Sequence, residues 1–260
     1  MAASVTSSDQ WALITGASAG FGKAISEKLA SQKFNLIICA RRADRLEALR
    51  ADLESRFGVQ ITPLAFDISK FDECKNALAR VSSTLDQVSV LINNAGLAKG
   101  VEPIHQSDVN DWDTMIDTNI KGLLYITRAV LPKMVARKSG HVVNIGSVAG
   151  RWVYPGGAVY SATKFAVRAI SESIRMDVMG TGIRVTNIEP GMAETEFSEK
   201  RLGDSEKAKA VYRGMKPLSA EDIAETVSWC VSRPPHVNIQ ELVIFPTDQA
   251  AVGPSYTYRR

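Results

Sequence analysis

The stretch Trp11-Ala12-Leu13-Ile14-Thr15-Gly16-Ala17-Ser18-Ala19-Gly20-Phe21-Gly22 runs a short apolar segment into a glycine-rich turn, and a helical pattern follows at once. A short apolar run of this kind fits a strand covered on both faces. Glycine in the turn lets backbone amides approach a pyrophosphate, which the N-terminus of the next helix favours electrostatically. The spacing is Gly-x3-Gly-x-Gly rather than Gly-x-Gly-x-x-Gly. Taken alone it reads either as a dinucleotide cradle or as a structural turn. Its position directly after the first strand favours the cradle, with Gly16, Ser18, Gly20, Phe21 and Gly22 as candidate cofactor contacts.

Outward from this stretch the same alternation repeats. Strands are expected at Trp11–Thr15, Asn35–Ala40, Gln60–Ala65, Val88–Asn93, His141–Ile145, Arg184–Glu189 and Glu241–Phe245. Helices are expected at Gly22–Ser31, Ala43–Arg56, Phe71–Leu85, Asp111–Val135, Ala158–Met179 and Ser219–Ser232, the last opened by a Ser219/Asp222 capping pair. This order predicts right-handed crossovers and an α/β fold, a Rossmann-type doubly wound parallel sheet of about seven strands with helices on both faces. No linker or internal repeat divides the series, so residues 1–260 are expected to form one domain. Residues 192–217 are polar and interrupt the alternation, as a lid would. Residues 247–260 form a C-terminal tail with Tyr256, Tyr258, Arg259 and Arg260.

The composition narrows the setting. The 260 residues are 45% hydrophobic and 23% charged with a net charge of +3, which excludes a dominantly electrostatic nucleic-acid binder. No apolar run approaches the ~20 residues of a membrane span. Cys39, Cys74 and Cys230 form no CxxC pair. Their scatter argues against a disulfide scaffold or a metal site and fits a reducing compartment. The first ten residues show no secretory pattern, so a cytoplasmic location is expected.

The second strand ends Cys39-Ala40-Arg41-Arg42, with no carboxylate before Asp44. Guanidinium forks suit a ribose 2′-phosphate, whereas a carboxylate there would suit a free 2′-hydroxyl, so NADP(H) is preferred over NAD(H). The alternative is that both arginines only begin a solvated helix. Asp67 and Ile68 follow the third strand as candidate adenine contacts, and Asp67 reads equally as a helix cap. Asn93-Asn94-Ala95-Gly96 closes the fourth strand at the carboxyl edge, where open α/β sheets bind ligands. Asn93, Ala95 and Gly96 are candidate contacts, with a simple turn as the alternative.

Tyr160 and Lys164 lie four residues apart in a helical pattern, which puts phenol and ammonium on one face. The ammonium, together with an oxidised nicotinamide ring, would lower a phenol pKa that is ordinarily near ~10 and make it a usable base. Ser147 ends the fifth strand at the same edge, and its hydroxyl can hold the oxygen that the tyrosine protonates. Asn119 is placed to position a water linking the lysine to solvent. A Tyr-x3-Lys match recurs by chance. Its weight comes from the order of glycine turn, Asn-Asn-Ala-Gly, Asn119, Ser147 and then Tyr160/Lys164.

These motifs, with Pro190-Gly191, resemble the short-chain dehydrogenase/reductase family from about Trp11 to Phe245. The resemblance implies Tyr160 as general acid/base, Lys164 as ribose ligand and modulator of the phenol, Ser147 as substrate-orienting group and Asn119 as part of a proton relay. It also implies nicotinamide contacts from Pro190, Gly191, Met192 and Thr195, and a homotetramer. Ala193 departs from the family pattern, where valine is common. The segments Ile188 to Ser198, Arg201 and Phe245 to Gln249 are similar to the NADP-dependent 3-hydroxy acid dehydrogenases, including those acting on serine and allo-threonine. That implies a small-molecule 3-hydroxy acid substrate, whose carboxylate a lid arginine would clamp. Arg201 is the first candidate, with Gln249 and Arg151 behind it, and a solvated charge run is the other reading of Arg201. Competing readings are a reductase of sulfonate-bearing aldehydes or neutral ketones, a non-catalytic dinucleotide sensor and a nucleic-acid module.

Overall fold

The computed structural model describes residues 10–253 and 257–258. The N-terminal residues 1–9, with the expectation of no secretory leader, lie outside the described residues, as do Tyr256, Arg259 and Arg260 of the tail. Seven strands form one parallel sheet in the order β3-β2-β1-β4-β5-β6-β7. They are β1 Trp11–Thr15, β2 Asn35–Ala40, β3 Ile61–Ala65, β4 Val88–Asn93, β5 Gly140–Ile145, β6 Ile183–Pro190 and β7 Glu241–Ile244. This is the doubly wound α/β sheet that the alternation predicts, and strand limits differ from expectation by one residue at most.

Because successive strand side chains point to opposite faces, each central strand feeds two cores. Ala12, Ile14, Leu36 and Ile38 join the core under α1 (Gly20–Ser31), α2 (Ala43–Phe57) and α10 (Ala220–Val231). Trp11, Leu13, Ile37 and Cys39 join the core on the other face, with Leu78, Ile126 and Ile174 of its helices. Cys39, Cys74 and Cys230 are free and buried, and burial pushes the thiols up, Cys74 and Cys230 to about 11.

Three helical regions are finer than expected. The span 71–85 breaks into α3 (Phe71–Ala79) and α4 (Ser82–Leu85). The span 111–135 becomes α5 (Val109–Ile116), a π-helical turn (Asp117–Gly122) and α6 (Leu123–Arg137), with Asp108 capping the start. After α7 (Ala158–Asp177), the polar stretch 192–217 folds into two short helices, α8 (Glu196–Leu202) and α9 (Ser205–Val211). Thr195 caps the first through the Phe197 amide, and Asp204 caps the second through the Glu206 and Lys207 amides. Ser219 and Asp222 form the expected reciprocal capping box. Among the described residues no helix is long and apolar enough to cross a membrane, and no cluster of metal-ligating side chains occurs.

Candidate active site

A cavity of about 970 Å³ opens along the carboxyl edge of the sheet. It lies where the strand order reverses between β1 and β4, the usual ligand crevice of such sheets. Its floor is the glycine turn. Gly16 and Gly20 have φ of +70° and +51°, a region that side chains other than glycine rarely enter. Gly22 does not line the cavity. A Cβ there would stand 2.3 Å from the Gly16 carbonyl oxygen, so this glycine lets α1 sit tightly against the turn. Thr15 Oγ1 accepts the amides of Asn94 and Ala95, both at 3.0 Å, and thereby fixes the β4 loop against the turn.

Asn94, rather than Asn93, lines the cavity. Asn93 lies on the opposite face of β4, and its Nδ2 donates to Thr127 Oγ1 and Asn144 Oδ1, both at 2.9 Å, within a buried polar network. Ala95 and Gly96 do line the cavity, as do Gly16, Ser18, Gly20, Phe21, Asp67 and Ile68.

At one end stand Arg41 and Arg42. Arg42 donates through Nε and Nη2 to Ser18 Oγ at 3.1 and 3.0 Å, and through Nη1 to Glu196 Oε2 at 3.0 Å. Arg45 holds the other Glu196 oxygen at 2.6 Å. Partial burial opposes ionisation of Glu196, yet the hydrogen bonds from Arg45 and Arg42 prevail and hold its carboxyl down at about 2. Arg41 is more exposed and lies 4.0 Å from Asp67 Oδ2. Asp67 does not cap α3, whose N-cap is Lys70. It accepts instead from the Ser69 amide and hydroxyl.

At the other end Ser147, Tyr160 and Lys164 come together on the cavity wall. Ser147 lies two residues beyond the end of β5 and caps a short 3-10 turn (Val148–Gly150), its Oγ accepting the Ala149 amide at 3.1 Å. Lys164 is buried and donates to the Ile145 carbonyl at 2.8 Å, and desolvation brings its pKa down to about 8. Burial, with Tyr154 beside it, pushes the Tyr160 phenol well up, against a hydrogen bond with Ser147 and the nearby Arg201 charge. Among the protein's own groups, burial outweighs the Ser147 hydrogen bond and the Arg201 charge at this phenol.

Asn119 sits on the π-helical turn and does not line the cavity. Its Oδ1 accepts the Leu97 amide at 2.8 Å, and its Nδ2 donates to the Leu97 carbonyl at 2.8 Å and to Thr163 Oγ1 at 3.0 Å. It pins the β4 loop to α7. Gly96 lies between these groups, since a Cβ there would be 3.4 Å from Asn119 Oδ1 and 3.6 Å from Lys164 Nζ.

The end of β6 and the segment after it add Pro190, Gly191, Met192, Thr195 and Arg201 to the cavity lining. Arg201 is not a solvated charge. It donates to the Tyr154 hydroxyl at 2.8 Å and the Gly100 carbonyl at 3.0 Å, and its guanidinium lies 5.8 Å from the Tyr160 ring centre. Gln249 also lines the cavity, but both ends of its amide are engaged, accepting from Met192 N at 2.7 Å and donating to the Ala251 carbonyl at 3.0 Å. Arg151 is not brought in. It bonds the buried Glu189 and also Glu241, away from the cavity lining.

The short chain dehydrogenase family model matches residues 10–206. The chain belongs to that family. It is 48% identical over 246 residues, 94% of this chain and 96% of the relative, to a probable NADP-dependent dehydrogenase of Haemophilus influenzae. It is 46% identical to an NADP-dependent 3-hydroxy acid dehydrogenase of Salmonella typhi, covering 93% of this chain and 96% of that one. Among solved structures it is similar to the closed form of a serine dehydrogenase complexed with NADP+, with a TM-score of 0.88 and 44% identity over 94% of this chain and 97% of that one.

In this dehydrogenase the residues present fit a phosphorylated dinucleotide, because the glycine cradle leaves backbone exposed where a Cβ would intrude and two arginines stand at the ribose end. Three contributors escape sequence reasoning. Tyr154 and Glu196 act through long side chains that meet partners some 40 to 150 residues away. Thr15 did carry a signal, a hydroxyl residue at the strand end facing the β4 loop.

Proposed function

We propose that this enzyme uses NADP(H) to interconvert a small 3-hydroxy acid, such as serine, allo-threonine or 3-hydroxyisobutyrate, and its 3-oxo acid. The observation that carries the reading is Arg201, a lid guanidinium buttressed by Tyr154 and held 5.8 Å from the Tyr160 ring. A bidentate guanidinium is well matched to a substrate carboxylate. Two relatives whose names include 3-hydroxy acid and serine dehydrogenase support the same class.

The bound nicotinamide supplies the hydride acceptor for oxidation and the donor for reduction. Tyr160 takes the hydroxyl proton of the substrate, or returns it to the carbonyl oxygen in reduction. Ser147 holds that same oxygen. Lys164 spends one N–H on Ile145 and keeps two for a ribose hydroxyl, while its charge favours the phenolate when Tyr160 is deprotonated. Asn119 supports the relay by fixing the β4 loop beside Lys164. The same reading takes the chain as one domain with a lid at 192–217, working as a cytoplasmic homotetramer.

The test is a screen with NADP+ at alkaline pH over serine, allo-threonine, 3-hydroxyisobutyrate and 3-hydroxypropionate, set beside neutral alcohols and, with NADPH, neutral ketones. At least one acid should be a good substrate. Arg201→Ala should raise its KM roughly 10- to 100-fold, the worth of a charged hydrogen-bond pair, and shift KM for neutral substrates less than about threefold. Good turnover of neutral ketones with none of any acid would end the reading. A sulfonate aldehyde offers Arg201 a similar oxyanion, and its preferential reduction would move the substrate to that class.

A further inference from the structure

Glu189 on β6 is a fully buried carboxylate. Burial makes its ionisation costly, and a buried ion pair adds little net stability. It touches the Ser147 turn on both sides. Before Ser147, a Cβ at Gly146 would stand 3.1 Å from Glu189 Cγ and 2.6 Å from Asn187 Oδ1, so the chain lies directly on these two side chains. After Ser147, Arg151 closes the 3-10 turn, and its Nε donates to Glu189 Oε2. Glu189 Oε1 accepts from Asn187 Nδ2 at 2.7 Å, which fixes the plane of the carboxylate. Arg151 also reaches β7, where its Nη2 donates to Glu241 Oε2. Glu241 Oε1 in turn accepts from Arg168 Nε at 2.8 Å. Arg168 stands one helical turn beyond Lys164 on α7. Gly150 packs on the same helix, where a Cβ would be 2.7 Å from the Lys164 carbonyl oxygen. Two carboxylates and two guanidiniums thus alternate as Glu189–Arg151–Glu241–Arg168. They join the turn of Ser147 to the helix of Tyr160 and Lys164. Neither Glu189 nor Arg151 lines the cavity, so both act through their neighbours.

We propose that Glu189 is a positioning residue that, through Arg151, aims Ser147 at the phenol of Tyr160. This rests on the reading of Tyr160 as general acid/base given above. The turn between Ser147 and Arg151 is only three residues long, so a displaced Arg151 moves Ser147 with it. The reacting oxygen must meet both hydroxyls at once, and a misplacement of about 1 Å can cost roughly 100-fold in rate. The glycine cradle belongs to β1 and α1, so cofactor affinity is spared.

The test compares wild type, Glu189→Gln and Glu241→Gln in the oxidation of 3-hydroxyisobutyrate by NADP+. Glu189→Gln should lower kcat roughly 10- to 30-fold, with the Kd of NADPH changed less than about twofold. The pH at which activity rises should move up by about half a unit or more, because the Ser147 hydrogen bond that favours the phenolate is weakened. Removing a negative charge acts the opposite way through space and would move that pH down. The sign therefore separates positioning from direct electrostatics. Glu241→Gln, at a partly exposed site, should lower kcat roughly threefold and move the profile the same way. Without substrate, the NMR signal of isotope-labelled Tyr160 in the NADP+ complex should move in Glu189→Gln toward its position in Ser147→Ala. An unchanged kcat, a profile that stays or moves down, or a Tyr160 signal at its wild-type position overturns the proposal. If Glu189→Gln does not fold, Glu241→Gln decides by the same measurements. If 3-hydroxyisobutyrate is not turned over, the NMR signal alone decides. Full activity in Tyr160→Phe would end the acid/base reading itself, whereas an inactive Tyr160→Phe beside a wild-type Glu189→Gln ends only the proposal.

Discussion

At the dinucleotide end of the cavity the walls are mostly backbone, with Gly16, Gly20 and the Asn94–Gly96 loop drawn together by Thr15. At the lid end they are long side chains, namely Arg201, Tyr154, Tyr212 and Gln249. The first end tolerates few residue types because its geometry requires positive φ and missing Cβ atoms. The second depends on which side chains happen to meet across the lid. The dinucleotide end is therefore shaped largely by main chain, and the other end by replaceable side chains.

That contrast is open to attack, most forcefully at Gly22. A valine there would place its Cβ 2.3 Å from the Gly16 carbonyl oxygen. Gly22→Val should cost about 3 kcal/mol of stability and weaken cofactor binding more than about 100-fold, read by thermal melts and NADPH fluorescence titration. If a side chain is accommodated with binding intact, the backbone account of this end fails. Next, an Arg41→Ala/Arg42→Ala double variant should lower the NADP+ over NAD+ preference in kcat/KM by roughly 100-fold. An unchanged preference would remove side chains from the cofactor end altogether.

The smallest effect concerns Lys164, where the two ends join. Desolvation lowers its pKa from 10.5 to about 8. Below pH 8 both folded and unfolded chains carry the proton, and the folded one bears the cost of a buried cation. Between pH 8 and 10.5 the unfolded chain binds more protons, so this group makes stability rise with pH. Lys164→Met should accordingly be more stable than wild type by roughly 2 kcal/mol in urea at pH 7, with the gain shrinking at pH 9.5 and activity lost. The raised phenol of Tyr160 works the other way, costing stability once the pH passes the ordinary tyrosine range. A stability gain independent of pH would mean that packing, not charge, sets the cost of this lysine.

Legibility in the sequence follows the same division. The strands were readable because apolar runs covered on both faces have clear ends: β5 gains Gly140, β6 gains Ile183 and Pro190, and β3 and β7 each lose one terminal residue. The split at Arg80-Val81 and the π-helical turn at Asp117–Gly122 were not, since both keep helical periodicity. The lid helices were hidden by their polarity, although Thr195 and Asp204 are ordinary capping residues. Asn93 was misplaced by one step along a strand, which exchanges one sheet face for the other. Arg151 looked available in a linear reading because its partners Glu189 and Glu241 lie 38 and 90 residues away.

The three buried thiols have a practical corollary. Cys74 and Cys230, raised to about 11, carry almost no thiolate near pH 8, and Cys39, pushed up further at the end of β2, carries still less. In an opened chain each would revert to about 8.5 and ionise readily. The native protein is thus a built-in clock for its own opening. Its alkylation rate at each cysteine counts excursions of one face of the sheet or the other, Cys39 and Cys74 timing the core beneath α3 and Cys230 the core beneath α10.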